Sequence, residues 1–446
     1  MNPHSRNVQV TFISHLNGFT EMILGGVGGA VSDLLLLAPP SGAVGVMKKG
    51  VSLVCLYALM SLFVYKKVLC QAPSYGERGS DLGIQVFQEV VRSRPLENVV
   101  LSPHGVASVL GMLLPGAHGE TRRQIIKGMR YKKNGPYKML RRLHKTLTSK
   151  SKSNQDTVLI ANGIFSQKGF PMEKTFVNTN KANFQCESRS LDFSNPHTAA
   201  DEINKWVKNM TKGHIPSLLK ADLLDPAMTR LVAVNSIYFK GLWKSCFKPE
   251  NTKMRPFHTA DGSVSKVPMM SQLSLFNIGM ATTPEGSKYK VIELPYHGDN
   301  ITMVIVVPSE EDTPLSSITP HISTATVQTW SKLMHMRKIR LFIPKFTADA
   351  EVDLEAPLSS LGISDIFSPD KADFSHISAE PLHVSKALQK AKIIVNEDGT
   401  QAAAATATIL LARSSPPWVT VDRPFLFLIR HKPTGTILFM GQINQP

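Results

Sequence analysis

Arg413-Ser414 is the pair of residues whose surroundings most invite chemistry. It closes a stretch, Thr400 to Ala412, that holds no charged residue and no proline. Trypsin-like proteases cut after a basic residue because an acid at the bottom of their specificity pocket pairs with it. Arg413 is therefore displayed as bait. The chemistry belongs to a visiting enzyme, because the chain offers no catalytic set of its own. It has no GxSxG elbow, no GxxxxGKS/T phosphate loop and no paired-carboxylate motif that stands out. Fourteen histidines are scattered along it. Cys55, Cys70, Cys186 and Cys246 make no CxxC pair, and neither HExxH nor a zinc-spaced Cys/His cluster occurs. No catalytic residue and no metal ligand is assigned.

The sequence around the bait, NEDGTQAAAATATILLARSSPP (396–417), reads in two ways. Four consecutive alanines favour a helix followed by a loop. As a strand of period two, Thr400, Ala402, Ala404, Thr406, Thr408 and Leu410 share one face. No member of that face is charged, so neighbouring strands could bury it without leaving an unpaired charge. Gly399 supplies a flexible pivot just before it. On the strand reading, the segment can live outside as a loop and inside as a strand.

Here a family resemblance becomes specific. Glu397-Asp398-Gly399-Thr400, the alanine block and the C-terminal VDRPFLFLIRHKPTGTILFMGQINQP resemble the hinge, reactive-centre loop and terminal strands of the serpin family. Further serpin-like pieces occur in order: NVVLSPHGVASVLGMLLPGAHGET (98–121), NSIYFKGLW (235–243) and ELPYHGDN (293–300). The resemblance runs from about residue 80 to the end. It implies an α+β fold with helices packed around three mostly antiparallel β-sheets. It also implies one serpin domain (73–446) with an exposed reactive-centre loop at about 397–417. The implied activity is inhibition, as a monomer, of serine proteases of the thrombin, urokinase, plasmin and trypsin class. In that mechanism the protease attacks the Arg413 carbonyl, releases Ser414 as a new N-terminus and stays attached as an acyl-enzyme. The loop then inserts as an extra strand and traps the enzyme. Glu397, Gly399, Thr400, Ala402, Ala403, Ala404 and Ala405 are the implied hinge. Non-inhibitory serpins, acting as carriers or chaperones, usually carry bulky or charged hinge residues, and none lies between Thr400 and Ala407.

The elements that must position such a loop are partly readable. Ile84, Phe87, Val90 and Val91 recur at helical spacing after Ser80 and Asp81, which are expected to cap an opening helix that Pro95 ends. Leu231 to Val234, Ile301 to Val307 and Phe425 to Ile429 are short apolar runs expected as buried strands. Lys338 to Ile343 alternates in part, as a half-exposed strand does. Helical patterns cluster in the first half and strands in the second.

Residues 138–152, KMLRRLHKTLTSKSK, are the second feature with chemistry in them. On a helix Leu140, Leu143 and Leu147 share a face, while Lys138, Arg141, Arg142 and Lys145 occupy the others. Lys150 and Lys152 extend the charge, and no acid interrupts it. The chain as a whole carries 50 Lys and Arg against 34 Asp and Glu, a formal +16 that attracts polyanions. An ordinary solvated helix face is the plain alternative. In a secreted protein the matching polyanion is a sulfated glycosaminoglycan, and the position resembles the heparin-binding helix of several serpins. Heparin or heparan sulfate is thus the expected accelerator, with no other cofactor. Nucleic acid is disfavoured because no aromatic residues interleave with the basic run.

Compartment is read from residues 47–72. Lys48 and Lys49 precede an apolar run from Val51 to Tyr65, and small or polar residues follow, in the layout of a signal peptide. The run is shorter than the ~20 residues of a bilayer span, although Lys66 and Lys67 leave an uncleaved anchor as the alternative. Residues 1–46 are expected to be a disordered upstream extension. The sequons Asn209-Met210-Thr211 and Asn300-Ile301-Thr302 agree with secretion of a glycoprotein into the extracellular space. Glycosaminoglycans would then retain it at the cell surface or matrix. Whether Cys186 and Cys246 pair is left open. Protein collected from culture medium is expected to begin at Gln71 or Pro73 on N-terminal sequencing. Recovery only in membranes, with residues 47–72 intact, would mean an anchor instead.

Overall fold

A computed structural model describes residues 75–130, 137–148, 157–399 and 416–446. The expected leader (1–72), Thr400, Ala402 to Ala405, Arg413, Ser414, Lys150 and Lys152 lie outside the described residues. Described helices are α1 (Tyr75–Ser93), α2 (Pro103–Leu113), α3 (Gly119–Met129), α4 (Tyr137–Thr148), α5 (Lys174–Phe184), α6 (Pro196–Met210), α7 (Thr324–Leu333) and α8 (Glu355–Ser360). The first seven strands are β1 (Val99–Leu101), β2 (Thr157–Gln167), β3 (Glu187–Leu191), β4 (Leu231–Lys240), β5 (Lys253–His258), β6 (Val264–Thr282) and β7 (Lys288–Pro295). The rest are β8 (Ile301–Pro308), β9 (His335–Pro344), β10 (Phe346–Asp353), β11 (Val384–Val395), β12 (Trp418–Thr420), β13 (Phe425–His431) and β14 (Thr436–Ile443).

The strands form two hydrogen-bonded networks. One is five-stranded, in the order β10-β11-β4-β2-β3. The other is nine-stranded, in the order β1-β14-β13-β8-β7-β6-β9-β12, with β5 added on β6. The larger network holds two of the three expected sheets, because β6 serves both. Its end, Asn277 to Thr282, pairs with β7; its middle, Met269 to Ile278, pairs with β9; its start pairs with β5. The expected apolar runs all lie within strands. β8 and β14 are buried at every position, and β9 changes from exposed to buried along its length, as its partial alternation predicts.

α1 begins at Tyr75, so Ser80 and Asp81 lie inside it and are not its caps. Their side chains serve other elements. Ser80 Oγ accepts a hydrogen bond from Ile437 N (3.0 Å), and Asp81 Oδ1 accepts one from Thr324 N (3.0 Å) at the start of α7. Both groups satisfy backbone N–H donors hundreds of residues away, a use that local spacing cannot reveal.

α2 is buried along its whole length beneath the five-stranded sheet. Pro103 sits in its first turn and the N-cap Ser102 Oγ accepts from Gly105 N (2.9 Å), so the helix starts cleanly despite having no water around it. Within that first turn His104 is buried, and neither ring nitrogen has a hydrogen-bond partner among the described residues. Burial, with like charge on His144 and His431 adding to it, drives its pKa down to about 3. The unfolded chain binds this proton near the ordinary value of ~6.5, and the native chain does not. Stability is therefore complete above about pH 6.5 and drains away as pH falls toward 3. Burial lowers His144 and His431 as well, which adds to the same slope. At pH 5 the His104 contribution to the loss is expected to be about 2 kcal/mol. Urea midpoints at pH 7.5 and pH 5 measure it, and His104→Leu should flatten the difference. An equal acid slope in that variant would remove His104 from the account.

Candidate functional site

The described residues nearest the bait are the ones that lead into and out of its loop. β11 ends at Val395, and the chain crosses directly onto the segment that follows β4. There Trp243 N donates to Asp398 O (3.0 Å), Phe247 N to Glu397 O (3.2 Å) and Trp243 Nε1 to Asn396 O (2.7 Å). Trp243 is buried and stacks on Tyr296, with ring centroids 4.4 Å apart and planes 10° apart. The backbone of 396–398 is thus moored on a fixed aromatic pair.

The hinge side chains add charge to the mooring. Glu397 Oε2 lies 2.9 Å from Lys345 Nζ, and its Oε1 accepts from Thr252 Oγ1 at 2.9 Å. Burial pushes the Glu397 carboxyl up, but the bonds from Lys345, its own backbone and Thr252 outweigh it and leave it below the usual range. Asp398 pairs with Lys240 at 2.7 Å, and that bond, helped by Asn396, holds its carboxyl low. Gly399 forms a parallel bridge with Trp243. A Cβ at Gly399 would come within 2.7 Å of the Cys246 Cα and 2.8 Å of the Trp243 oxygen. Close approach is therefore one requirement for a glycine here, beside the pivot expected from the sequence. Cys246 and the buried Cys186 are free thiols.

Below the hinge lies a feature that sequence patterns did not reveal. β4 and β11 run parallel, and Asn235 and Gln389 face each other in register across them. Gln389 Nε2 donates to Asn235 Oδ1 (3.3 Å) and to Ser102 O (2.9 Å), while Ser102 N donates to Gln389 Oε1 (2.7 Å). On the other side Asn235 Nδ2 donates to Asn162 Oδ1 (2.8 Å), and Asn162 Nδ2 reaches Phe184 O (2.9 Å). All four polar side chains are buried. One polar network therefore runs across β2, β4 and β11 and down to the start of α2. Gly105 makes room for it, because a Cβ there would collide with Asn235 and Gln389. The sole hint in the sequence is a buried-looking strand interrupted by amides.

The basic segment forms α4, as expected. Leu140, Leu143 and Leu147 are buried, and Arg141, Arg142 and Lys145 are exposed with no ion pair among the described residues. Lys138 lies in the first turn of the same helix. Both sequon asparagines, Asn209 and Asn300, are exposed.

The central strands β4 and β11 run parallel, and the chain that leads from β11 toward the bait is moored beside their ends as far as Gly399. The chain belongs to the serpin family: the family's sequence model, serpin (serine protease inhibitor), matches residues 77–446. It is a serine protease inhibitor. Over 374 residues it is 54% identical to glia-derived nexin of Rattus norvegicus, covering 84% of this chain and 94% of that one. Identity to plasminogen activator inhibitor 1 of Neovison vison is 44% over 373 residues, covering 83% and 92% of the two chains. Among solved structures, native protease nexin-1 with heparin is 53% identical, superimposes with a TM-score of 0.80 and matches 83% of this chain and 99% of that chain.

The network under the seam is expected to be structural as well as positional. Gln389→Leu keeps the side-chain size but orphans the Ser102 N–H, while the Ser102 C=O still accepts from Val106 N (3.0 Å). A loss of roughly 1–3 kcal/mol per orphaned group is expected in urea unfolding. An unchanged midpoint would show that the amide ladder contributes nothing to holding β11 on β4.

Proposed function

We propose that this chain is a secreted inhibitor of trypsin-like serine proteases, cleaved at Arg413-Ser414 and accelerated by heparin or heparan sulfate. The direction of β4 and β11 carries the reading. They run parallel at the centre of the five-stranded sheet, and the chain reaches the bait from the end of β11. A chain reversing after Gly399 runs opposite to both strands. Insertion then exchanges one parallel pairing for two antiparallel ones, which are slightly more stable per residue. Ala233, Ala387 and Ala391 lie along the seam, which suits the small, uncharged residues from Thr400 to Ala407.

Attack on the Arg413 carbonyl forms the acyl-enzyme and frees Ser414, so the cut loop is tied to the protease at one end and to Gly399 at the other. About ten new ladder hydrogen bonds at ~0.5–1.5 kcal/mol each supply on the order of 10 kcal/mol. A protease domain is stable by ~5–15 kcal/mol. The two are comparable, so a dragged enzyme can be deformed before it hydrolyses its ester. Glu397, Gly399, Thr400 and Ala402 to Ala405 act as the hinge.

Heparin suits Lys138, Arg141, Arg142, Lys145, Lys150 and Lys152, and the heparin present with protease nexin-1 supports this use of α4. A long sulfated chain holding both proteins raises their encounter rate. Residues 47–72 act as the secretion signal, residues 1–46 as an upstream extension, and Asn209 and Asn300 as glycan acceptors.

Two variants test the reading against trypsin and thrombin on denaturing gels. Arg413→Glu should abolish covalent complexes while leaving the fold intact; unchanged inhibition would place the bait elsewhere. Thr400→Arg should leave Arg413 cleavable but turn inhibitor into substrate. Covalent complexes persisting in that variant would refute insertion.

A further inference from the structure

Two histidines far apart in the chain meet on the surface. His118 immediately precedes α3, and His376 lies in the loop that leads to β11. Backbone bonds fix both: His118 N donates to Asp373 O (2.9 Å), and His376 N donates to Gly116 O (3.3 Å). Asp373 N donates in turn to Thr121 Oγ1 (2.9 Å), which ties the same loop to the first turn of α3. The two imidazole rings meet edge to face, with centroids 5.4 Å apart and planes 70° apart. His118 is the N-cap residue of α3, yet its side chain makes no capping bond, so the ring is not spent on the helix.

The acid beside them directs one of the rings. Asp373 Oδ2 lies 3.3 Å from His118 Nδ1, and its Oδ1 accepts from Ser375 N (3.2 Å) and Ser375 Oγ (2.8 Å). A carboxylate that holds one ring nitrogen of a histidine sets the tautomer and leaves the other nitrogen, here Nε2, as a lone-pair donor. The same arrangement stands behind most metal-bound histidines. Distance agrees with it. Two imidazoles on one tetrahedral zinc, with Zn–N of ~2.0–2.1 Å, bring their ring centroids to about 5 Å. Both histidines are exposed, and His376 lines a cavity of about 440 Å³ with Glu173, Thr175 and Ser375, which gives room for water and for the Glu173 carboxylate. Arg122 and Arg123 of α3, which would repel a cation, are engaged by Leu114 O and Glu120. Among the described residues no three His, Cys, Asp or Glu side chains are gathered closely enough to hold a metal ion. The ligands here are therefore two imidazoles completed by water.

We propose that His118 and His376 form a binding site for a divalent transition-metal ion of the zinc and copper class, with Asp373 as the positioning residue for His118. Imidazole nitrogen selects such ions over calcium and magnesium, which take oxygen ligands. A bound ion clamps the start of α3 to the loop before β11, the strand that pairs with β4, and binding to the native fold alone raises stability. Sequence spacing gave no sign of the pair, because only the folding of remote segments brings the two rings together. The site is independent of the bait reading.

Calorimetric titration of the chelator-treated full-length protein with zinc chloride tests it. The comparison set is His118→Ala, His376→Ala, Asp373→Asn and a control, His197→Ala, which removes an exposed histidine in the first turn of α6. One zinc per chain is expected to bind, with affinity roughly tenfold or more lower in each of the first three variants and unchanged in the control. With copper in place of zinc, nitrogen hyperfine structure in electron paramagnetic resonance should count two imidazoles in the unmodified protein. It should count two in Asp373→Asn as well, but one in either His118→Ala or His376→Ala. Zinc should raise the urea midpoint of the unmodified protein and leave those two variants unmoved, and their metal-free midpoints check that they fold. Calcium should not compete. No saturation at millimolar zinc, or equal zinc affinity in all variants, overturns the site. Loss in only one of His118→Ala and His376→Ala, or a copper spectrum with a single imidazole in the unmodified protein, overturns the pairing of the two rings. Unchanged zinc affinity in Asp373→Asn removes its positioning role.

Discussion

The register pairing of Asn235 with Gln389 across two parallel strands is the constraint on which the rest of the molecule depends. Amides buried under a sheet are costly unless every group is paired, and here the pairing reaches through Ser102 to the start of α2. That arrangement fixes β11 against β4 and seats α2, which is buried along its whole length. It also places the weakest link, the 3.3 Å bond between the two amides, on the line along which the sheet would open. A seam filled with interlocking leucines would resist separation through lost apolar contact over its whole area. The β4–β11 seam instead sets Ala233, Ala387 and Ala391 among larger residues such as Val234, Ile237 and Leu388 along a parallel ladder, whose bonds are each worth only ~0.5–1.5 kcal/mol net.

Much of this could be read from the chain, and the exceptions share a cause. Buried strands such as β8 and β13 are visible because a continuous apolar run needs no partner to be recognised. α4 is visible because Leu140, Leu143 and Leu147 recur at its own period. Ser80 and Asp81 misled because a polar pair before an apolar pattern resembles a cap, while their true partners, Ile437 and Thr324, are remote in sequence. The crowding of Gly399 by Cys246 and Trp243 is likewise invisible in the sequence, which shows only a glycine before the alanine block. The amide ladder was invisible for the same reason: one Asn or Gln in a strand looks like noise until its neighbours across the sheet are known. β6 was hidden in another way. Its 19 residues contain Ser, Gln and Asn at intervals, which break the apolar signal where the strand passes from one sheet to the other.

Charge is distributed with a similar division of labour. The formal surplus of +16 is not spread evenly. Part sits on α4, where leucines bury one face and leave the arginines to water, and part on β9, next to the β12 edge of the nine-stranded network. Screening over about 8 Å at physiological salt makes such patches act locally. The acids near the hinge, by contrast, are all engaged: Glu397 with Lys345 and Asp398 with Lys240.

This engagement bears on how the hinge can be both held and released. Trp243 is buried and stacked, and it donates to Asn396 O and Asp398 O while Phe247 N donates to Glu397 O, so the anchor does not need to move when the chain beyond it does. The ion pairs are of another kind. Lys345 and Lys240 are partly exposed, and pairs of that sort are worth only ~0–1 kcal/mol each. They are strong enough to bias 396–398 toward one position and far too weak to oppose an insertion that yields on the order of 10 kcal/mol. A latch built from apolar burial would have cost several kcal/mol to open for every large side chain in it. The choice of charged, half-exposed partners thus sets a low barrier at the place where the motion must begin, while the aromatic anchor behind it keeps the direction of that motion fixed.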